Sequence, residues 1–267
     1  MKVDFFIVGA PKSGTTSLYK YLSEHPQISM SSIKEPNYFS NKSLKNQTLY
    51  YDQNIIEDLE RYHQLFSNDS IEKKKGEASV SYLFYKDVPK KINDYNPDAK
   101  IIIILRNPIE RAYSHYLMDY RLGLVNENFN EIIKKKLKHK NAKLYFQQYV
   151  ELGEYANQIK RYLNEFNINQ IMIIDYEDFI KETDLVIDKV HRFLGVNNFV
   201  TESNKKYNTF TFSKYKLIRF LYSFVFFRNT IKFILPRKIL IILFRLFFTN
   251  NNKPEIDEET VEYLKDY

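Results

Sequence analysis

The residues best suited to binding an anion form one short stretch, Gly9-Ala-Pro-Lys-Ser-Gly-Thr-Thr16. The stretch follows an apolar run at residues 5–8 and precedes a helical pattern at residues 17–23. A strand, a glycine-containing turn and a helix N-terminus together bring backbone N–H groups onto a phosphate-like anion. A helix cap needs one hydroxyl, whereas this stretch offers Lys12 and the hydroxyls of Ser13, Thr15, Thr16 and Ser17. The sequence therefore predicts an anion site at residues 12–17.

The spacing differs from that of the ordinary nucleoside triphosphate loop, G-x-x-x-x-G-K-[ST]. Gly9 and Gly14 have the separation of that motif, but Thr15 occupies its lysine position. The one lysine of the loop, Lys12, lies between the two glycines. Such a loop binds an anion without extending a lysine toward a γ-phosphate and its Mg²⁺, which favours a phosphosulfate as the ligand.

A second basic group follows the clearest buried strand, at residues 100–105. Arg106 places a planar, permanently charged fork at the end of that strand. Ser114 lies about two helical turns further on, so its hydroxyl could reach the same anion. An arginine with a hydroxyl suits a monoester phosphate. The alternative is that Arg106 pairs with a carboxylate such as Glu110 and that Ser114 is an ordinary helix residue.

A carboxylate that could act as a general base lies on the loop after the first predicted helix. This loop, residues 31–39, carries Lys34 and Glu35. On the local pattern alone, the simpler interpretation is that both are solvated loop charges.

Short apolar runs alternate with helical patterns along the chain. Strands are predicted at residues 4–8, 76–80, 100–105 and 171–174, with helices between them. This order predicts an α/β fold with a mainly parallel, P-loop-type sheet flanked by helices. Ligands bind such sheets beyond the carboxyl ends of the strands, where the loops after Val8 and Leu105 would meet. We expect an α/β domain at residues 1–200 and a helical C-terminal extension at 201–267.

The formal charge of +7 favours anionic partners, including nucleotides, nucleic acids and acidic lipids. The chain has no cysteine, which excludes disulfides, thiolate metal sites and cysteine nucleophiles. Because the first strand begins almost at Met1, we expect a cytoplasmic protein without a signal peptide. Residues 217–248 are apolar but interrupted by arginines and lysines, which predicts amphipathic helices rather than a membrane span. They could pack on the core or lie peripherally on the inner membrane surface.

The order of four motifs resembles that of the PAPS-dependent sulfotransferases, where PAPS is 3′-phosphoadenosine 5′-phosphosulfate. The motifs are G-x-P-K-S-G-T-T-x-L from Gly9, K-E-x-x-x-F from Lys34, G-E-x-S-x-x-Y from Gly76 and L-R-N-P-x-x-R-A-x-S from Leu105. The stretch Asp175-Tyr-Glu-Asp-Phe179 agrees as well. The resemblance covers residues 4–197 and is greatest to the bacterial relatives of the heparan sulfate sulfotransferase domains.

The resemblance implies a role for each matching residue. Lys12 would stabilise the bridging oxygen as it leaves, and Glu35 would be the general base, which reverses the interpretation from the local pattern. Arg106 and Ser114 would hold the 3′-phosphate. The 5′-phosphate would be held by Ser13, Gly14, Thr15, Thr16 and Ser17.

The chain departs from the heparan enzymes at Ala78, where they have a lysine, and it has no clear match to their basic adenine-side loop. Lys205, Lys206 and Tyr207 are the candidates for that loop. PAPS would be the co-substrate and PAP the product, with no metal and no nucleic acid involved. The acceptor would be a glycan, a glycolipid or a small molecule. A P-loop kinase and a non-catalytic anion- or nucleic-acid-binding module are the alternative functions.

Overall fold

The computed structural model describes residues 1–51, 53–66, 73–200 and 254–267, with residue 239 and the backbone of 212–213 and 248–249. The chain divides into two compact units, Met1–Arg111 with Glu151–Tyr207 and Ala112–Val150 with Asn208–Tyr267. The predicted boundary at residue 200 stays a prediction. The candidates Lys205, Lys206 and Tyr207 lie outside the described residues, as does almost all of 217–248.

A parallel five-stranded sheet forms the centre of the first unit. Its strands are β1 (Phe5–Gly9), β2 (Ile28–Met30), β3 (Lys74–Ala78), β4 (Lys100–Leu105) and β5 (Ile171–Asp175), in the order β2-β3-β1-β4-β5. β1 and β4 are almost wholly buried, as their continuous apolar sequences require in a sheet covered on both faces. The predicted fold class is confirmed. β2 was not predicted, because its three residues are too few to form a pattern.

The described helices of eight or more residues are α1 (Thr15–Ser23), α4 (Val88–Tyr95), α5 (Pro108–Leu122), α7 (Ala142–Tyr149), α8 (Tyr155–Glu165), α10 (Thr183–Leu194) and α11 (Glu258–Asp266). The shorter ones are α2 (Asn41–Gln47), α3 (Leu59–Gln64), α6 (Phe129–Ile133) and α9 (Tyr176–Lys181). α3 begins at Leu59 because the Asp58 side chain caps it by accepting from the Arg61 N–H.

Alternate residues of the central strands build two separate cores in the first unit. Phe6, Ile101 and Ile103 belong to one cluster, together with Tyr62, Tyr82 and Tyr162. Phe5, Ile102 and Ile104 belong to the other, together with Leu18, Phe179 and Val190. Because successive side chains of a strand point to opposite faces, β1 and β4 pack against helices on both faces of the sheet. The loops at the carboxyl ends of the strands are thereby attached to a rigid support.

The second unit contains the latter part of α5, with α6, α7 and α11, and an antiparallel pair, β6 (Phe212–Ser213) and β7 (Phe248–Thr249). Inside it, the Tyr149 hydroxyl donates to Asp119 Oδ2 at 2.8 Å, and the Tyr113 hydroxyl to the Glu255 carbonyl at 3.2 Å. α11 is a helical piece at the C-terminal end of the chain, as expected. Among the described residues, every helix is too short or too polar to cross a membrane.

Candidate anion-binding and catalytic site

The loop between β1 and α1 leaves the first N–H groups of the helix without a side-chain cap. Gly14 is the N-cap residue and adopts a left-handed conformation with φ 85°, which a glycine adopts at little cost. Lys12, two residues earlier, is also left-handed, with φ 66°. Uncapped N–H groups at a helix N-terminus carry partial positive charge and need acceptors. This geometry suits an anion, and the anion site at residues 12–17 stays a prediction.

The four hydroxyls of the loop fall into two pairs. The side chains of Ser13 and Thr15 are buried, while Thr16 and Ser17 are partly exposed, as is Lys12. Ser13 lies beside Tyr155, whose hydroxyl donates to the Arg106 carbonyl at 3.1 Å. Burial raises the pKa of Tyr155, against the lowering effects of Arg111, Arg106 and the Ser13 hydroxyl. The Ser13 hydroxyl is buried and has no hydrogen-bond partner among the described residues, and its contact with a ligand stays a prediction.

Arg106 links the loop after β4 to the loop after β1. Its Nη1 donates to the Lys12 carbonyl at 3.4 Å. Its guanidinium lies over the Tyr176 ring, 4.5 Å from the ring centre, and its Nη2 donates to Glu110 Oε2 at 2.9 Å. Arg106 therefore pairs with Glu110, as the alternative interpretation of the sequence predicts. The same guanidinium also lies beside the anion loop.

Tyr176 was not predicted as a site residue. The only sequence signal was the motif Asp175-Tyr-Glu-Asp-Phe179, which follows β5 at the same end of the sheet as Arg106. The Asp175 carboxylate caps α9 by accepting from the N–H groups of Glu177 and Asp178, which fixes the start of the helix that carries Tyr176.

Ser114 lies on α5 in the second unit, whereas Arg106 belongs to the first. The Ser114 side chain is half-buried. The shared phosphate site of Arg106 and Ser114 stays a prediction.

Glu35 is attached to the carboxyl end of β3. Its N–H donates to the Ala78 carbonyl at 2.9 Å, and Ala78 pairs with Ile7 of β1. Glu35 therefore lies at the same edge of the sheet as the loop that follows β1. Its carboxylate is ion-paired with the Lys34 ammonium and its side chain is 38% exposed, so water or an acceptor can reach it.

Glu77, the residue before Ala78, is a wholly buried carboxylate to which the sequence assigned no role beyond its place in the G-E-x-S-x-x-Y motif. It accepts hydrogen bonds from the Ser79 hydroxyl at 2.5 Å and from the Tyr62 hydroxyl at 2.6 Å. Burial raises the pKa of Glu77 to about 7, although the hydrogen bonds from Ser79, Tyr62 and Tyr82 act in the opposite direction. The sequence signal was a single charged residue inside a short predicted strand.

Metal-ligating side chains do not cluster in the part of the chain that the structure describes: no three of its His, Asp and Glu residues are placed to hold one ion.

The sulfotransferase domain family matches residues 2–223 of the chain. A crystal structure of a sulfotransferase from Alicyclobacillus acidocaldarius is 35% identical, with a TM-score of 0.66 over 78% of this chain and 87% of that one. Bifunctional heparan sulfate N-deacetylase/N-sulfotransferase 1 of Xenopus laevis is 30% identical over 198 residues, and that of Mus musculus 32% over 202. These regions cover 72% and 73% of this chain, which spans only about a fifth (22%) of those two longer proteins.

Proposed function

The chain belongs to the sulfotransferase family, and on that premise we propose that it moves the sulfuryl group of PAPS to a hydroxyl or amine of a carbohydrate acceptor. One observation carries the proposal. The uncapped N-terminus of α1, the loop residue Lys12 and the Arg106 guanidinium lie together at one edge of the sheet. Family membership also argues against the two alternative functions, a P-loop kinase and a non-catalytic binding module, because neither is a sulfotransferase.

The hydrogen-bond donors of the site suit a nucleotide that carries a phosphosulfate at one end and a second phosphate at the other. Backbone N–H groups at residues 13–16 and the partly exposed hydroxyls of Thr16 and Ser17 suit the 5′-phosphate, which is compact and multiply charged. Arg106 supplies a planar cation for the 3′-phosphate, with Ser114 as its predicted partner. PAPS supplies an activated sulfuryl group, and PAP is the product that leaves.

Lys12 would stabilise departing PAP. It lies on the loop assigned to the 5′-phosphate, so its ammonium would offset the negative charge that develops on the bridging oxygen. A sulfuryl group carries less charge than a phosphoryl group, so a lysine and the N–H groups suffice for this stabilisation.

Glu35 would accept the proton of the acceptor as its oxygen or nitrogen attacks sulfur. The carboxylate is exposed enough to meet an acceptor and is fixed through its own N–H to β3. Lys34 then compensates the charge of the carboxylate before the acceptor arrives.

The carbohydrate class rests on the names of the relatives, which act on heparan sulfate. The net charge of +7 is consistent with an acidic glycan as well as with PAPS. A glycolipid or small metabolite remains an outcome that the acceptor test distinguishes. A cytoplasmic location and peripheral membrane contact through residues 217–248 belong to the same proposal and rest on the sequence alone.

The test is transfer of radioactive sulfur from PAPS to a panel of acceptors. The panel contains an unsulfated glucuronic acid–N-acetylglucosamine oligosaccharide, its N-deacetylated form, a glycolipid fraction and a small phenol. We expect label on a carbohydrate, with loss of transfer but retention of PAP binding in Glu35→Gln. Glu57→Gln, which also breaks an exposed Lys–Glu ion pair (Lys45–Glu57), should transfer normally. Label only on the phenol would overturn the acceptor class, and normal transfer by Glu35→Gln would overturn the assigned base.

A further inference from the structure

A buried polar relay connects Glu77 to the loop that carries Glu35. The Ser79 hydroxyl donates to Glu77 Oε1 at 2.5 Å, and its oxygen accepts the N–H of Asn37 at 3.1 Å. The side chains of Glu77 and Ser79 are both fully buried. Because the hydroxyl proton is committed to the carboxylate, the Ser79 oxygen is oriented to receive Asn37, two residues from Glu35.

The Asn37 side chain in turn fixes the backbone of Glu35. Its Nδ2 donates to the carbonyl oxygens of Glu35 and Asn54, both at 2.9 Å. Its Oδ1 accepts from the Ser81 hydroxyl at 2.7 Å. The loop is therefore connected to β3 and to the turn after it through Asn37, in addition to the N–H of Glu35 itself.

The conformation of this loop needs external support. Glu35 has φ 61° and Asn37 φ 55°, on either side of Pro36. Both values lie in the left-handed region, which costs free energy for any residue with a Cβ atom. A loop with two such residues keeps its shape only when surrounding contacts impose it, and the relay supplies buried contacts of this kind.

Burial of the Glu77 carboxylate costs free energy of folding. In the described part of the chain its neighbours are hydroxyls and aromatic rings, and no ion pair compensates its charge. An uncharged acceptor such as Gln would avoid the cost of burying a charge and still accept from the Ser79 and Tyr62 hydroxyls. A buried carboxylate in such surroundings calls for a role other than stability.

We propose that Glu77 is a positioning residue that fixes Glu35 through Ser79 and Asn37. The proposal rests on the proposed function, because it takes Glu35 to be the base. Glu77 acts only through the loop: it orients the Ser79 hydroxyl, which fixes Asn37 and thereby the carboxylate that accepts the proton.

The decisive variant is Glu77→Leu. A purely structural role predicts a lower free energy of unfolding, since the buried hydroxyls of Ser79 and Tyr62 lose their acceptor, but an unchanged kcat of the folded protein. The positioning role predicts that the Asn37 amide exchanges with solvent at least about fivefold faster, because its acceptor is no longer oriented. It also predicts that kcat falls about tenfold or more, with the KM for PAPS within about twofold. Glu77→Gln, which keeps an acceptor for Ser79, should restore both.

Ser79→Ala provides a second route should Glu77→Leu fold poorly, because it removes the middle of the relay and leaves the carboxylate in place. The matched control is Tyr162→Phe, which deletes a buried hydrogen bond to the Tyr82 carbonyl but not the relay. We expect the exchange and kcat effects in Ser79→Ala and not in Tyr162→Phe. Unchanged Asn37 exchange in both relay variants, or equal effects in the control, would overturn the proposal.

Parallel measurement of Glu35→Gln separates this proposal from the function on which it rests. If Glu35→Gln abolishes transfer while the relay variants match Tyr162→Phe, positioning by Glu77 is wrong and the proposed base stands. If Glu35→Gln transfers normally, the base assignment fails, whatever the relay variants do.

Discussion

Arg106 donates from Nη1 to the carbonyl oxygen of Lys12 at 3.4 Å, so one side chain joins the loops that follow β4 and β1. The stacking of its guanidinium on Tyr176 and its ion pair with Glu110 fix the group from two further directions. The first two predictions follow from this arrangement.

Arg106→Lys should weaken PAP binding about tenfold, because an ammonium neither stacks as well on Tyr176 nor offers a planar fork to a phosphate. Titration calorimetry measures the affinity directly. Arg61→Lys, an exposed replacement on α3, is the control and should leave the affinity within about twofold. Equal affinities for the wild type and Arg106→Lys would remove Arg106 from the nucleotide site.

Glu110→Gln should tighten PAP binding about two- to fivefold, because Glu110 competes with the ligand for the Arg106 guanidinium. The effect is modest since the Glu110 side chain is 49% exposed and its charge is screened by water and salt. Calorimetry at low and high salt should show a larger gain at low salt. Weaker binding by Glu110→Gln would show instead that Glu110 orients the arginine for the phosphate.

Lys12→Ala should lower kcat/KM for PAPS about a hundredfold or more and reduce kcat itself, because the charge on the leaving oxygen loses its counter-ion. Lys12 has φ 66°, and alanine bears the same left-handed cost as lysine, so the substitution removes the ammonium without changing the backbone preference. Steady-state kinetics measure both parameters, and Lys42→Ala, at an exposed lysine, is the control. An unaltered kcat would contradict the role of Lys12 in the transfer step.

Glu77 should make the free energy of unfolding depend on pH. Its pKa is raised from 4.5 to about 7 by burial, so the folded chain binds the proton more tightly than the unfolded chain. Stability from this group is therefore complete below pH 4.5 and is lost as the pH rises through about 7, by up to about 3 kcal/mol. Urea unfolding across this range should show the decline in the wild type and a flatter profile in Glu77→Gln. Parallel profiles for the two proteins would refute the shift.

Gly76→Ala should destabilise the fold by about 3 kcal/mol or more, because overpacking in a closed core forces neighbours to move. A Cβ there would lie 2.1 Å from Cζ of the fully buried Phe5 ring. Gly195→Ala is the control, since its Cβ would meet nothing within 4 Å and only the positive φ of 74° opposes it. That cost should be about 1 kcal/mol. Urea unfolding that gives similar losses for the two variants would contradict the packing of β3 on β1.

The fold class could be predicted because short apolar runs such as 101–105, bounded by polar residues and alternating with helical patterns, favour strands covered on both faces. β2 was missed because Ile28-Ser29-Met30 becomes a strand only by pairing with β3. The relay from Glu77 to Asn37 could not be predicted, since its members are 40 residues apart in the sequence and meet only after the sheet has formed. The burial of the Ser13 side chain depends on the path of the loop, which the motif does not specify.

Titration of PAP into the folded full-length chain tests the central claim most directly. We expect saturable binding of one PAP per chain, and at least about tenfold weaker binding of adenosine 5′-phosphate, which lacks the 3′-phosphate that Arg106 would hold. Absence of binding heat for PAP, or equal affinity for the two nucleotides, would contradict it.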